Sequence, residues 1–277
     1  MTAYKAQILF LTKKLDADIK AVQALVAPTI APSTNKKALM IGINYVGTPY
    51  QLNGCINDVT SMSAKLRSDY GFANITELTD NTSVKPTREN ILREFTNLIK
   101  NSQSGDLLFV LYSGHGSNVI DRNGDEADGR DEMIITSDLK GILDDDLKAI
   151  IQTNLKKDVT LFAMFDCCFS GTILDLRYQY LDSFNYDTFT ENDKQLETAG
   201  NVLMISGCTD NQTSADAKIN SRYQGAMTWS MLQCLQPNIT WCDLLKNMRT
   251  ALKGASFTQL PQMSSGQILD ITGKVFL

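Results

Sequence analysis

The sequence predicts an α/β protein, helices layered on a mostly parallel sheet. Three features carry that reading: short, almost wholly apolar runs, helical repeats between them, and polar turns separating the two. An apolar run of strand length is what a strand looks like when both of its faces are covered, as in parallel sheets. Strands alternating with helices are the pattern of α/β layering. The chain has 277 residues, 43% hydrophobic and 21% charged, enough for one large domain with a buried core or two small ones.

The elements follow in order. Ile8, Leu11, Leu15, Ile19, Val22 and Leu25 recur at helical spacing, so residues 4–27 are expected to form an amphipathic helix packed on the main domain. Residues 28–37, PTIAPSTNKK, read as a linker, which places a leading segment at 1–37 and the principal domain at 38–277. Strands are expected at 38–43, 107–112, 159–165 and 202–206. Helices are expected at 58–69, 88–100 and 145–153; Ile91, Leu92, Phe95, Leu98 and Ile99 form one face of the second. Two more are expected at 225–235 and 240–252, where Thr240 and Asp243 make an N-terminal capping pair. Residues 181–200 are polar and aperiodic, a long loop.

Composition narrows the function. A net charge of -5 and an isoelectric point near 5.0 argue against a nucleic acid or an anionic membrane as the main partner. No apolar run approaches the length of a membrane span, and the first residues lack a cleavage-like site, so no secretory signal is expected. The six cysteines, Cys55, Cys167, Cys168, Cys208, Cys234 and Cys242, are nowhere spaced C-x-x-C. Free thiols in a reducing, cytoplasmic setting fit them best. The chain has a single histidine, His115.

Reactive residues follow two of the expected strands. The run LLFVLY leads into Ser113-Gly114-His115-Gly116, and VTLFAMF leads into Asp166-Cys167-Cys168-Phe169-Ser170-Gly171. Functional groups in open α/β sheets collect beyond the carboxyl ends of strands. A thiol needs an imidazole nearby to become a good nucleophile and to protonate a leaving amine. Were these strands neighbours, His115 and Cys168 would face one cleft, with backbone N–H groups at Gly116 and Cys168 available to a developing oxyanion. A cysteine at a strand end is commonly core packing, and a histidine beside glycine is commonly a loop residue. The conjunction of both at strand ends favours chemistry. Ser170 is a poorer nucleophile, since C-F-S-G-T is not G-x-S-x-G. Residues 121–132 match some EF-hand ligand spacing, but Glu126 stands where glycine is needed, so they read as a solvated acidic loop.

These residues resemble the metacaspases. The likeness lies in GCINDV at 54–59, YSGHG at 112–116, DGRDEMI at 128–134, ILDDDL at 142–147, DCCFSGT at 166–172 and SGCTDNQTSAD at 206–216. It extends over about residues 38–277, including GAMTWS and PQMSSGQ. The resemblance implies a caspase-like fold, a three-layer α/β/α sandwich around a mixed, mostly parallel sheet. It implies a cysteine endopeptidase with His115 and Cys168 as its dyad. One departure stands out: family members usually carry histidine after the catalytic cysteine, and here it is Phe169. By the same resemblance Cys55, Asp58, Ser113 and Asp166 line the pocket for the side chain before the scissile bond. Two carboxylates there favour Arg or Lys. The local alternative is that Asp58 caps the helix after it.

Asp131, Asp144, Asp145 and Asp175 match the family positions that bind activating Ca²⁺. Crowded carboxylates repel one another until a hard cation neutralises them. Asp144–Asp146 also suit the start of helix 145–153, where negative charge complements the dipole. The implied partners are protein or peptide substrates, with a monomeric enzyme that binds neither nucleic acid nor membrane. Lys36, Lys37 and Lys194 are candidate self-cleavage sites. The competing readings are a non-catalytic caspase-like scaffold, which Phe169 favours, and a thiol transferase or redox sensor using Cys167–Cys168. The last leaves His115 without a role, and adjacent cysteines bridge poorly.

Overall fold

The computed structural model describes residues 35–121, 129–168, 170–180, 189–192, 195–207, 216–219 and 221–276. The expected helix at 4–27, the linker to residue 34, Phe169, Lys194 and Cys208 lie outside the described residues.

The chain runs β1 (Lys36–Gly42), α1 (Cys55–Tyr70), β2 (Asn74–Thr79), α2 (Arg88–Lys100), β3 (Leu107–Ser113), β4 (Gly116–Ile120), β5 (Arg130–Ile135) and β6 (Gly141–Leu143). It continues with α3 (Asp144–Asn154), β7 (Thr160–Asp166), β8 (Tyr178–Tyr180), β9 (Thr190–Glu191) and β10 (Asn201–Ser206). The last elements are β11 (Asp216–Ile219), β12 (Arg222–Gly225), α4 (Ala226–Cys234), α5 (Trp241–Gly254) and β13 (Gln262–Ser265). Among the described residues, eight strands form one sheet in the order β2-β1-β3-β7-β10-β13-β8-β9. The pairs from β2 to β10 are parallel, and those from β10 to β9 are antiparallel. The strands β4, β5 and β6 make a small antiparallel sheet, and β11 with β12 a hairpin.

The apolar runs become strands because the sheet is covered on both sides. Side chains alternate across a strand, and the core divides accordingly. Ala38, Met40, Phe109, Leu111, Phe162, Met164, Leu203 and Ile205 join α1, α4 and α5 on one face. Leu39, Ile41, Leu108, Val110, Leu161, Ala163, Val202 and Met204 join α2 and α3 on the other. The result is a three-layer α/β/α sandwich around a mixed sheet. Helix ends follow their local chemistry. The Thr87 hydroxyl accepts from Asn90 N, and the Thr240 hydroxyl accepts from Asp243 N at 3.1 Å. Gly71 ends α1 with φ of 72°, a conformation that glycine adopts without strain. No described helix is long and apolar enough to cross a membrane.

Three expectations need correction. Lys36 and Lys37 are not linker residues: they open β1 and pair with Leu107 and Leu108. Cleavage after either would require an inner strand to leave the sheet. Residues 190–191 of the expected loop form β9 against β8. Asp131 and Glu132 are buried in β5, so the acidic stretch ends inside the structure instead of in solvent. The signal missed was DEMII, where the apolar positions of a strand already begin.

Lys37 also fixes the start of the sheet. Its ammonium lies 2.7 Å from Asp106 Oδ2, and Asp106 accepts further from Asn35 Nδ2 and Gln103 N. Burial pushes the Asp106 carboxyl up, but the hydrogen bonds from Lys37, Gln103 and Asn35 outweigh it and hold the group below the ordinary carboxylate range. Its stabilising effect is therefore complete above the unfolded pKa near 4 and is lost as pH falls through the lower folded value. Asp106→Asn is expected to cost about 2 kcal/mol at pH 7, with the gap to wild type closing toward pH 2. Urea unfolding across that range measures it; a gap independent of pH would contradict the ion pair.

Candidate active site

Parallel pairing of β3 with β7 sets Ser113 opposite Asp166. His115 and Cys168 each lie two residues further on, so both leave the sheet at the same level. The two backbones then touch. A Cβ built on Gly116 would overlap the Cys168 carbonyl oxygen and come within 3.2 Å of Cys167 Sγ. Ile135 N donates to His115 O at 3.0 Å, which makes Gly116 and Ile134 a non-hydrogen-bonded pair and turns the Gly116 N–H away from β5. Cys168 is partly exposed, whereas Cys167 is buried in the second face of the core. The Ser170 hydroxyl is buried and donates to Cys167 O at 2.9 Å. Among the described residues, Cys55, Cys167, Cys168, Cys234 and Cys242 form no disulfide.

His115 Nε2 lies 2.7 Å from the Tyr50 carbonyl oxygen. A carbonyl only accepts, so Nε2 carries the proton and Nδ1 is the basic nitrogen of the neutral ring. The Tyr45 ring lies against the imidazole at 4.8 Å.

Beside this point three of the four expected pocket residues meet. Asp58, Ser113 and Asp166 are buried, and Ser113 Oγ donates to Asp58 Oδ2 at 2.8 Å. The Gly225 N–H donates to Asp58, and Thr228 donates to Asp166 Oδ2 from both N and Oγ1 at 2.8 Å. A side chain on Gly225 would overlap the Asp166 carboxylate and approach Asp58 Oδ2 to 2.9 Å. Both carboxylates thus bind the N-terminal end of α4, where negative charge suits the helix dipole. Asp58 does not cap its own helix, whose N-cap is Gly54. Cys55 is buried in the first turn of α1. Gly225 and Thr228 were missed as pocket residues; their only signal was the motif GAMTWS.

The second acidic set gathers around the start of α3. Oxygens of Asp131, Asp144 and Asp145 lie within 4.8 Å of one another. Glu132 N and Asp145 N donate to the Asp144 carboxylate. Burial, then the charges of Asp175 and Asp131, push the Asp144 carboxyl up to about 7 against those N–H groups. Asp175 stands outside the tight group, its carboxylate 3.4 Å from the Lys148 ammonium. The helix-start explanation applies to Asp146, which accepts from Leu143 N and pairs with Arg88. The Thr172 hydroxyl donates to Glu132 Oε2 at 2.6 Å, tying the segment after Cys168 to β5.

A sandwich whose chemistry sits at the carboxyl ends of two central parallel strands is the plan of the caspase-like cysteine peptidases. The comparisons narrow it further. Residues 36–177 match the model of the metacaspase, peptidase C14 domain. Metacaspase-1 of Scheffersomyces stipitis is 37% identical over 86% of this chain and 72% of its own length. Metacaspase-1B of Aspergillus niger is 38% identical over 83% of this chain and 64% of its own length. Metacaspase-1 of Saccharomyces cerevisiae is 36% identical over 85% and 67%. A crystal structure of a Geobacter sulfurreducens protein superposes with a TM-score of 0.65 at 26% identity, covering 87% of this chain and 97% of that one. The chain belongs to the metacaspase family of cysteine peptidases.

The contact at Gly116 gives a direct test. Gly116→Ala must displace the Cys168 carbonyl, and misplacing a nucleophile by an ångström costs about a hundredfold in rate. Peptide hydrolysis is expected to fall by about that factor while circular dichroism stays that of the wild type. Full activity in this variant would mean that the two strand ends are not in contact.

Proposed function

We propose that this metacaspase is an endopeptidase in which Cys168 attacks the peptide carbonyl and His115 is its proton partner. The observation that carries the reading is the level exit of the two residues from paired strands. With Nε2 directed to Tyr50 O, Nδ1 takes the thiol proton and returns it to the leaving amine. The carbonyl carbon forms a thioester with Sγ, and water then releases the acid and restores the thiol. The N–H groups of Gly116 and Cys168 serve the oxyanion. His115→Ala and Cys168→Ala are each expected to abolish turnover.

The bond cut is the one after Arg or Lys. Asp58, Ser113 and Asp166, with Cys55 beside them, form an acidic pocket next to the nucleophile. Two carboxylates in one pocket offer acceptors of the kind a guanidinium or an ammonium seeks. Charge-assisted hydrogen bonds then favour a cation. An Arg-terminated fluorogenic peptide is expected to be cleaved and an Asp-terminated one left intact. The opposite preference would remove the pocket assignment.

Asp131, Asp144, Asp145 and Asp175 would hold Ca²⁺. The fit rests on their chemistry: hard carboxylate oxygens, most of them buried, one carboxyl pushed up to about 7 by burial and by the charges of Asp175 and Asp131, and Lys148 already drawn to Asp175. A bound Ca²⁺ would supply positive charge to this crowded set of carboxylates. The four residues join β5, the start of α3 and the segment after Cys168, so neutralising them firms the wall that carries the nucleophile. Activation is expected in the roughly millimolar range typical of weak sites, reversed by chelation and lost in Asp144→Ala and Asp175→Ala. Activity unaffected by chelator in the wild type would remove the site. Self-processing after Lys194 belongs to the same reading. Intact mass before and after Ca²⁺, compared with Cys168→Ala, reports it. A monomer acting in the cytoplasm completes the proposal; the short edge strand β9 suits a sheet that ends without a partner.

A further inference from the structure

We infer that Tyr45 is a positioning residue for His115, acting with Tyr112 as a clamp on both polar groups of the histidine's backbone. The inference rests on the dyad reading above and names what keeps its base in place. The Tyr45 hydroxyl oxygen accepts the His115 N–H at 2.9 Å. The Tyr112 hydroxyl lies 2.7 Å from His115 O. The two hydroxyls are 3.1 Å apart, and Tyr45 donates to Ile135 O at 2.6 Å. The Tyr112 hydroxyl is also 2.8 Å from Ile135 O, but its shorter contact is with His115 O. Tyr112 therefore donates to His115 O beside the Ile135 N–H, Tyr45 donates to Ile135 O, and the His115 N–H donates to Tyr45. Both phenols are buried, which pushes their pKa values up, so they stay protonated and keep donating.

A buried tyrosine is commonly core packing, but four observations converge on His115. The Tyr45 ring also packs on the imidazole itself, centroids 4.8 Å apart and tilted by 38°. The backbone of Tyr45 is left-handed, with φ of 50°, which a residue with a side chain rarely adopts. Strain of this kind gathers at functional sites. It is held by Thr48, whose N–H and hydroxyl both donate to Tyr45 O, at 3.1 and 2.8 Å. Finally, Gly114 has no room for a side chain because the hydroxyls fill it: a Cβ there would meet Tyr112 Oη at 2.6 Å and Tyr45 Oη at 2.9 Å. The glycine before the histidine thus makes space for the clamp.

The arrangement explains how an imidazole on a strand-to-strand turn keeps one orientation. Backbone, ring face and Nε2 are held by Tyr45, Tyr112 and Tyr50, and only Nδ1 is left to face the thiol. Tyr45→Phe retains the ring and removes the hydroxyl, leaving the His115 N–H without its acceptor.

The test uses the full chain with Ca²⁺ and an Arg-terminated peptide, together with the rate at which iodoacetamide alkylates Cys168, read by mass spectrometry. Tyr45→Phe is expected to lower kcat by roughly ten- to a hundredfold, with KM unchanged and slower alkylation of Cys168. Tyr112→Phe should give the same signature from the carbonyl side. In a His115→Ala background, Tyr45→Phe should slow alkylation no further, since a residue acting through His115 has nothing left to position. Wild-type kcat in both phenylalanine variants would overturn the inference, as would an equal loss of alkylation rate with and without His115. Wild-type turnover by His115→Ala itself would instead sink the dyad reading beneath it.

Discussion

Parallel pairing of β3 with β7 in the register that sets Ser113 beside Asp166 is the constraint on which the rest of the site depends. Side chains alternate along a strand, so this register decides two things together. It directs Ser113 and Asp166 to the sheet face covered by α1 and α4, where Asp58 and Thr228 meet them. It also brings the next turn of each strand out at one height, so that His115 and Cys168 belong to the same cleft. A slip of one residue would send Asp166 into the opposite layer and place Cys167 where Cys168 now stands.

Close backbone approach is the second theme. Gly116 lies against the Cys168 carbonyl, Gly114 against two tyrosine hydroxyls and Gly225 against two carboxylates. In each case the missing side chain lets one functional part sit directly on another. These glycines serve contact and not flexibility, and none of the three has a positive φ.

Charge is managed differently at the two acidic sites. Asp58 and Asp166 are answered from within the protein, by the N-terminal end of α4 and by Ser113. The group at the start of α3 is crowded: burial and the charges of Asp175 and Asp131 push the Asp144 carboxyl up, and the Lys148 ammonium lies 3.4 Å from Asp175. In the function proposed above, the first site selects a cation in a substrate. In the same proposal the second takes its cation from solution, and the Thr172–Glu132 hydrogen bond joins that group to the segment after Cys168.

The layered fold was legible in the sequence because strands covered on both sides must be apolar throughout, and the four inner runs at the centre of the sheet are. The ends of those runs marked His115 and Cys168, and the motifs marked the acidic residues. Short elements were not legible: β8, β9 and β13 have three, two and four residues, too few for a periodic signal, and they form because the sheet offers an edge to pair with. Lys36 and Lys37 looked like linker because their polarity is local, whereas their partners Asp106, Leu107 and Leu108 are some seventy residues away. The sequence by itself determined which candidate reacting groups the protein carries, since a lone histidine and a thiol at strand ends admit few chemistries. Only the tertiary structure decided which tyrosines hold the imidazole, which nitrogen is basic and how α4 closes the pocket, because these depend on contacts between residues that nothing in the chain order brings together.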